Sequence, residues 1–170
     1  MNKLYLISDQ HFGHKNMIDY ENRPFKDVDE MYEILIKNWN SIVTKGDTVI
    51  CLGDFSFYNK EITTQIISQL KGRKELILGN HDRRKSVTWW MSTGFDIVYK
   101  YPVCIDGFYW LSHEPMYMNR GMPYVNIHGH LHSKDIGDGI LPFQHFNVSV
   151  EKIGYKPINF EVIKNMFKGE

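Results

Sequence analysis

The sequence predicts an α/β protein with a parallel sheet at its core. Two observations carry this expectation. Short apolar runs alternate with amphipathic segments in the order strand, helix, strand, helix, strand over the first half of the chain, a pattern that implies right-handed crossovers and parallel pairing. Each apolar run also stops abruptly at a polar cluster rich in Asp, Asn or His. In open α/β sheets such clusters at strand C-termini face one crevice.

The elements follow in order. Lys3 to Ser8 reads as a buried strand that delivers Asp9-Gln10-His11. Phe12 to Pro24 has no clean period and reads as loop with at most one helical turn. Asp27-x-x-Glu30 is a capping box, followed by Val28, Met31, Leu35, Trp39 and Ile42 on one stripe. That spacing predicts a helix ending near Val43. Thr48 to Leu52 is a second strand and delivers Gly53-Asp54. Glu61 to Lys71 is helical, with Gly72 as its stop. Glu75 to Leu78 is a third strand, ending in Gly79-Asn80-His81-Asp82. Arg83 to Thr93 is expected to be a weaker helix.

Beyond it the pattern changes. Two β-rich runs flank Asp106-Gly107, a strong hairpin signal, and the second arm ends at His113. Tyr124 to Ile127 is another strand and runs into His128-Gly129-His130-Leu131-His132. Ser133 to Pro142, with Gly137 and Gly139, reads as a loop, Phe146 to Val150 as a strand, and Ile158 to Phe167 as a terminal helix.

Composition narrows the function classes. The 170 residues suit a single domain spanning 1–170. No run approaches the ~18 apolar residues of a membrane span, and the N-terminus has no signal-peptide cleavage pattern. A cytoplasmic location is expected, with Cys51 and Cys104 reduced and buried in apolar runs. Twenty basic and twenty acidic residues cancel, which argues against a dedicated nucleic-acid-binding surface.

The strand-end clusters carry the chemistry. Asp9, His11, Asp54, Asn80, His113, His130 and His132 are seven candidate ligands. Seven exceeds the needs of one ion and suits two, with Asp54 as the bridge. Carboxylate, imidazole and amide donors without thiolates favour Mn, Fe, Zn or Co over Ca and over a structural zinc. Two ions about 3.5–4 Å apart can clamp both oxygens of an in-line displacement at phosphorus. Gly129 is expected to let the chain turn so that the rings after it converge.

These residues carry a resemblance. Asp9-x-His11, Gly53-Asp54, Gly79-Asn80-His81-Asp82, His113 and Gly129-His130-x-His132 resemble, in order, the five signature blocks of the calcineurin-like metallophosphoesterase superfamily. The short chain is similar to its small single-domain prokaryotic or phage members. The resemblance implies a four-layered α/β sandwich, with two mixed sheets face to face and helices outside. It implies two divalent ions, manganese first and Fe, Zn, Co or Ni as alternatives. Asp9, His11, Asp54 and His132 would hold one ion; Asp54, Asn80, His113 and His130 would hold the other. A metal-bound hydroxide would attack phosphorus while His81 assists the leaving group and Asp82 orients His81.

The sequence departs from many phosphatases of the family after Asp54. Phe55-Ser56-Phe57-Tyr58 replaces a second acid and an arginine, which favours a phosphodiester over a monoester. The alternatives are a monoesterase acting on a small metabolite or nucleotide, and an inactive metal-binding scaffold. His14 and Arg83 are candidates for touching a small phosphorylated, nucleotide-derived substrate. Trp89 and Trp90 could stack a base but read better as packing. His128 reads as a core histidine, and Asn147 as a tie between the loop after His132 and the sheet.

Overall fold

A computed structural model describes residues 2–137 and 142–167. Gly139, expected in a loop, lies outside the described residues. The apolar runs β1 (Leu4–Ile7), β2 (Thr48–Cys51) and β3 (Arg73–Ile77) pair in parallel as expected. Their side chains alternate between two faces. Tyr5, Ile7, Val49, Cys51 and Leu76 belong to a core on one side; Leu6, Ile50 and Ile77 belong to a second core on the other.

Helices α1 (Asn16–Tyr20), α2 (Val28–Ile42), α3 (Lys60–Gln69) and α4 (Val87–Met91) follow in chain order. Asp27 caps α2 by accepting from the Glu30 amide at 2.9 Å, and the Glu30 carboxylate accepts from the Lys26 amide at 2.7 Å. The capping box therefore closes one residue earlier than its usual form. The apolar stripe of α2 (Met31, Leu35, Trp39), Ile66 and Ile67 of α3, and Trp90 of α4 fill the first core. The weak helix expected from Arg83 is a 3₁₀ turn at Asp82–Arg84, then α4 begun by a Ser86 cap.

Strand β4 (Ile97–Tyr99) extends the first sheet in parallel beside β3. The hairpin β5 (Val103–Ile105) and β6 (Tyr109–Leu111) turns at Asp106 and Gly107, with φ of 52° and 65°. Paired positive φ values match the right-handed twist of the flanking strands. Strands β7 (Val125–His128) and β8 (His145–Asn147) add in parallel to complete the second sheet. The terminal helix expected from Ile158 begins two residues later. Ile158–Asn159 is β9, antiparallel to β1, and α5 spans Phe160–Phe167. Pro157 favours extended backbone around it, and the Asn159 side chain accepts from the Glu161 amide at 2.8 Å at the start of the helix.

The result is two mixed sheets, ordered β4-β3-β2-β1-β9 and β5-β6-β7-β8. They face one another across the second core, where Tyr109, Leu111, Val125 and Ile127 meet Leu6, Ile50 and Ile77. Phe160 and Ile163 of α5 enter the same core. On the outer face of the smaller sheet, the segment after His113 takes the place of a helix among the described residues. Asn126 holds it there, accepting from the Met116 amide at 2.8 Å.

Cys51 is buried, but Cys104 is exposed, against the expectation of a buried pair. It sits on β5, an edge strand whose outer side chains meet solvent. No described helix is long and apolar enough to cross a membrane.

Candidate metal centre

The rims of the two sheets are stitched together past the end of β1. Ser8 donates its amide to Val148 O at 2.9 Å and accepts from the Val150 amide at 3.0 Å. This brings clusters far apart in sequence onto one crevice. Five of the seven candidate ligands adopt positive φ: Asp9 (61°), His11 (53°), Asp54 (54°), His130 (68°) and His132 (51°). Such backbone costs about 1–3 kcal/mol per residue and persists where surrounding structure enforces it. It turns the chain sharply past the ends of β1, β2 and β7.

The seven groups form one continuous cluster. Asp9 Oδ1 lies 3.8 Å from His11 Nε2 and 3.7 Å from His132 Nε2. Asp54 Oδ2 lies 3.6 Å from His11 Nε2 and 3.4 Å from His113 Nε2. His113 Nε2 is 2.9 Å from Asn80 Oδ1, and His130 Nδ1 is 3.1 Å from the same oxygen. Two ligand triads have spacing fit for a cation: Asp9, His11 and His132, and Asp9, Asp54 and His113. Asp9 belongs to both triads, and Asp54 Oδ2 reaches His11 of the first and His113 of the second.

The residues fit a pair of cations on three grounds. Asp9 Oδ1 and His11 Nε2 are buried without a hydrogen-bond partner, which costs about 1–3 kcal/mol per group unless something else binds there. His113 Nδ1 faces the Leu52 carbonyl at 2.7 Å and His132 Nδ1 faces Glu151 Oε1 at 3.2 Å. Those acceptors hold the proton on Nδ1 and leave Nε2 free toward the cluster, the arrangement of metal-binding imidazoles. The charge balance also points the same way. Burial opposes charge on Asp9 and Asp54, yet the surrounding histidines hold both carboxyls below their usual range. Burial likewise opposes charge on His113, but Asp54 and Asp9 push it up to about 9.

Gly129 matters for space. A Cβ there would collide with the side chains of Ser8 and Asp9. The turning expected of it is carried instead by His130 and His132. His128 stays inside β7, buried, with Nδ1 2.8 Å from Gly129 O, and burial lowers it to about 4. It is the neutral core histidine the sequence suggests.

His81 stands at the mouth. Its amide donates to Asp54 Oδ1 at 3.0 Å, its Nε2 is 3.9 Å from Asp54 Oδ2, and its ring is about one-third exposed. The expectation that Asp82 orients this ring is not met. Asp82 turns inward, and its two oxygens accept from the amides of Asp54 (2.6 Å), Gly79 (3.0 Å) and Phe55 (3.1 Å). Successive residues of a tight helical turn point in different directions, and His81 Nδ1 has no partner among the described residues. Asp82 instead clamps the two loops that carry Asp54 and Asn80. Burial and the Asp54 charge push it up to about 7.

His14 reaches the rim, with Nδ1 3.2 Å from His11 Nδ1 and its ring stacked on Phe57. Burial, and the neighbouring His11 and His81, lower it to about 4. Arg83 pairs its fork with Glu114 by two bonds of 2.7 Å. Asn147 donates to His132 O at 3.1 Å, the tie expected of it.

Sequence reasoning missed Arg23, Glu151 and Ser149. The Arg23 side chain is fully buried and donates to Asp9 O (2.8 Å), Gln10 O (3.0 Å) and Glu151 Oε1 (2.6 Å). Glu151 in turn faces His132, and Ser149 donates to Asp9 Oδ2 at 2.9 Å. Only the position of Ser149 and Glu151 just past a strand end could have signalled them.

A sandwich with a buried histidine–carboxylate cluster at its joined rims is compatible with a metal site. The chain belongs to the calcineurin-like phosphoesterase family, whose sequence model matches residues 3–166. It is 34% identical over 182 residues to an uncharacterized protein of Methanocaldococcus jannaschii, covering 99% of this chain and 93% of the relative. It is 42% identical over 85 residues to the gene 66 protein of Mycobacterium phage L5, covering 48% of this chain and 41% of that protein. A crystal structure of a protein of unknown function from Aquifex aeolicus superimposes with a TM-score of 0.74 at 27% identity, over 98% of this chain and all of that one.

Proposed function

We propose that this chain is a binuclear metal-dependent phosphoesterase and that it hydrolyses a phosphodiester. The observation that carries the reading is Asp54 Oδ2, set between His11 Nε2 at 3.6 Å and His113 Nε2 at 3.4 Å. One carboxylate oxygen thereby joins two sets of donors. Asp9, His11, Asp54 and His132 would hold one divalent ion, manganese first, and Asp54, Asn80, His113 and His130 the other. Such ions, when bound, neutralise phosphoryl oxygens and lower the pKa of water.

The residues of the chain divide the remaining work. Hydrolysis places a water oxygen on phosphorus, breaks the bond to the leaving oxygen and puts a proton on that oxygen. His81, at the mouth and outside both donor sets, would supply that proton. Asp82 and Arg23 keep the ligand loops rigid. The preference for a diester rests on charge. Arg83, the cation following the His81-Asp82 pair, is neutralised by Glu114, so the cluster itself offers a monoester dianion no free guanidinium.

The test is direct. Protein stripped of metal and reloaded with Mn²⁺ is offered a chromogenic aryl phosphodiester and the matching monoester. The diester is expected to turn over faster. A faster monoester would reverse the preference, and no turnover of either with Mn, Fe, Zn, Co or Ni would leave a metal-binding scaffold.

A further inference from the structure

Beside His81 the surface opens into a cavity of about 250 Å³. Phe57, Tyr58, His81, Arg84, Lys85 and Trp89 line it. Its volume falls below the ~300–1,000 Å³ of pockets that enclose a whole ligand. It therefore suits part of a substrate whose reacting phosphorus lies at the metal centre. The part is the leaving group, because His81 stands between the two. A larger cavity near Leu131 and Asn147 is lined by none of the seven clustered groups.

The lining is chemically specific. Phe57 and Trp89 form aromatic walls; Phe57 is more than one-third exposed, large for an apolar ring beside buried neighbours. Arg84 and Lys85 are exposed, and neither has a carboxylate partner within 4.0 Å among the described residues. Arg83, one residue earlier, does. The Lys85 ammonium lies 5.4 Å from the centroid of the Trp89 ring, so cation and ring share one wall. A guanidinium fork next to an ammonium suits the several oxygens of a phosphate. An exposed Phe57 and a half-buried Trp89 suit a base, which any aromatic face can stack.

We propose that this cavity is the leaving-group subsite and that it takes a nucleoside monophosphate unit: a base against Phe57 and Trp89, and a phosphate on Arg84 and Lys85. The substrate class is then a phosphodiester whose departing side is itself a phosphorylated nucleoside, as in a short oligonucleotide end. This rests on the phosphoesterase reading for its place in a reaction, but not for its binding.

The experiment titrates the full chain with AMP, adenosine and inorganic phosphate, by calorimetry and tryptophan fluorescence, with Mn²⁺ bound and after its removal. AMP is expected to bind at least about tenfold more tightly than adenosine or phosphate in the metal-free protein, one to two charge-assisted bonds being worth that factor. R84A/K85A should abolish the advantage over adenosine, and Trp89→Leu should weaken AMP and adenosine alike while phosphate is unmoved. AMP no tighter than phosphate without metal, or unchanged by R84A/K85A, would overturn the subsite. The two readings separate cleanly. AMP binding with no turnover of any ester would sink the enzyme and keep the subsite; turnover without AMP binding would do the reverse.

Discussion

The two ends of the larger sheet use the same kinds of residue to different effect. At the N-terminal end of the strands, Asp47 accepts from the Lys3 amide at 2.8 Å and from the amide and hydroxyl of Thr44 at 2.8 and 2.7 Å. Both of its oxygens are used, and the network closes on itself. At the C-terminal end, Asp9 Oδ1, His11 Nε2 and His81 Nδ1 are buried without partners. Five candidate ligands there also hold positive φ. A saturated polar cluster is structure. An unsaturated one, kept at a cost in strain and desolvation, has donor atoms fit for a cation.

The contrast can be broken by substitution at either end. Asp54→Ala carries the largest expected effect: at least one of two ions lost and turnover abolished. Elemental analysis showing two ions still bound would contradict the bridge. His81→Ala should keep both ions while turnover falls about 10²–10⁴-fold, the usual span for a proton-transfer group. Metal loss in that variant would move His81 from proton donor to ligand.

Glu151→Gln removes the charge that faces both His132 and the buried Arg23. Metal affinity should fall about 10–100-fold, as it does when the partner of a ligating histidine is lost. Stability should fall by about 3–5 kcal/mol, because a buried guanidinium is left without its counter-charge. Competition with a chelator measures the first and denaturant unfolding the second; an unchanged metal affinity would reduce Glu151 to a structural partner of Arg23.

Asp47→Asn, at the saturated end, should lower the thermal midpoint at pH 7 and leave metal occupancy untouched. The amides of Lys3 and Thr44 hold Asp47 below the ordinary carboxylate range. Its folded value is depressed, so its contribution is present above the unfolded value of about 4 and is lost as pH falls through the folded one. The gap between wild type and variant should therefore close on acidification. A gap that stays constant down to acid pH would show that the Asp47 charge contributes nothing.

Much of this was legible in the chain alone. The Asp27 cap, the Asp106-Gly107 hairpin and the ligand clusters at strand ends are local signals, set by turn chemistry and by the side-chain period. Strands β4 and β9 were not legible. At three and two residues they are too short to show a period, and pairing with β3 and β1 creates them. The direction of Asp82 was misjudged for a related reason. Adjacency in sequence suggests a partner for His81, whereas the backbone amides of Asp54 and Phe55 in another loop, with that of Gly79 in its own, claim the carboxylate.

The sequence by itself determined which residue types stand at the end of each strand, because an apolar run that stops at Asp, Asn or His says so without reference to the rest of the chain. Only the tertiary structure decided which of their atoms meet. Ser8 and Val148 join the two rims, and Arg23 reaches Glu151 across 128 positions. Contacts at such separation leave no periodic trace, since what holds them is the closure of the two sheets over a shared core and not any local preference of the backbone.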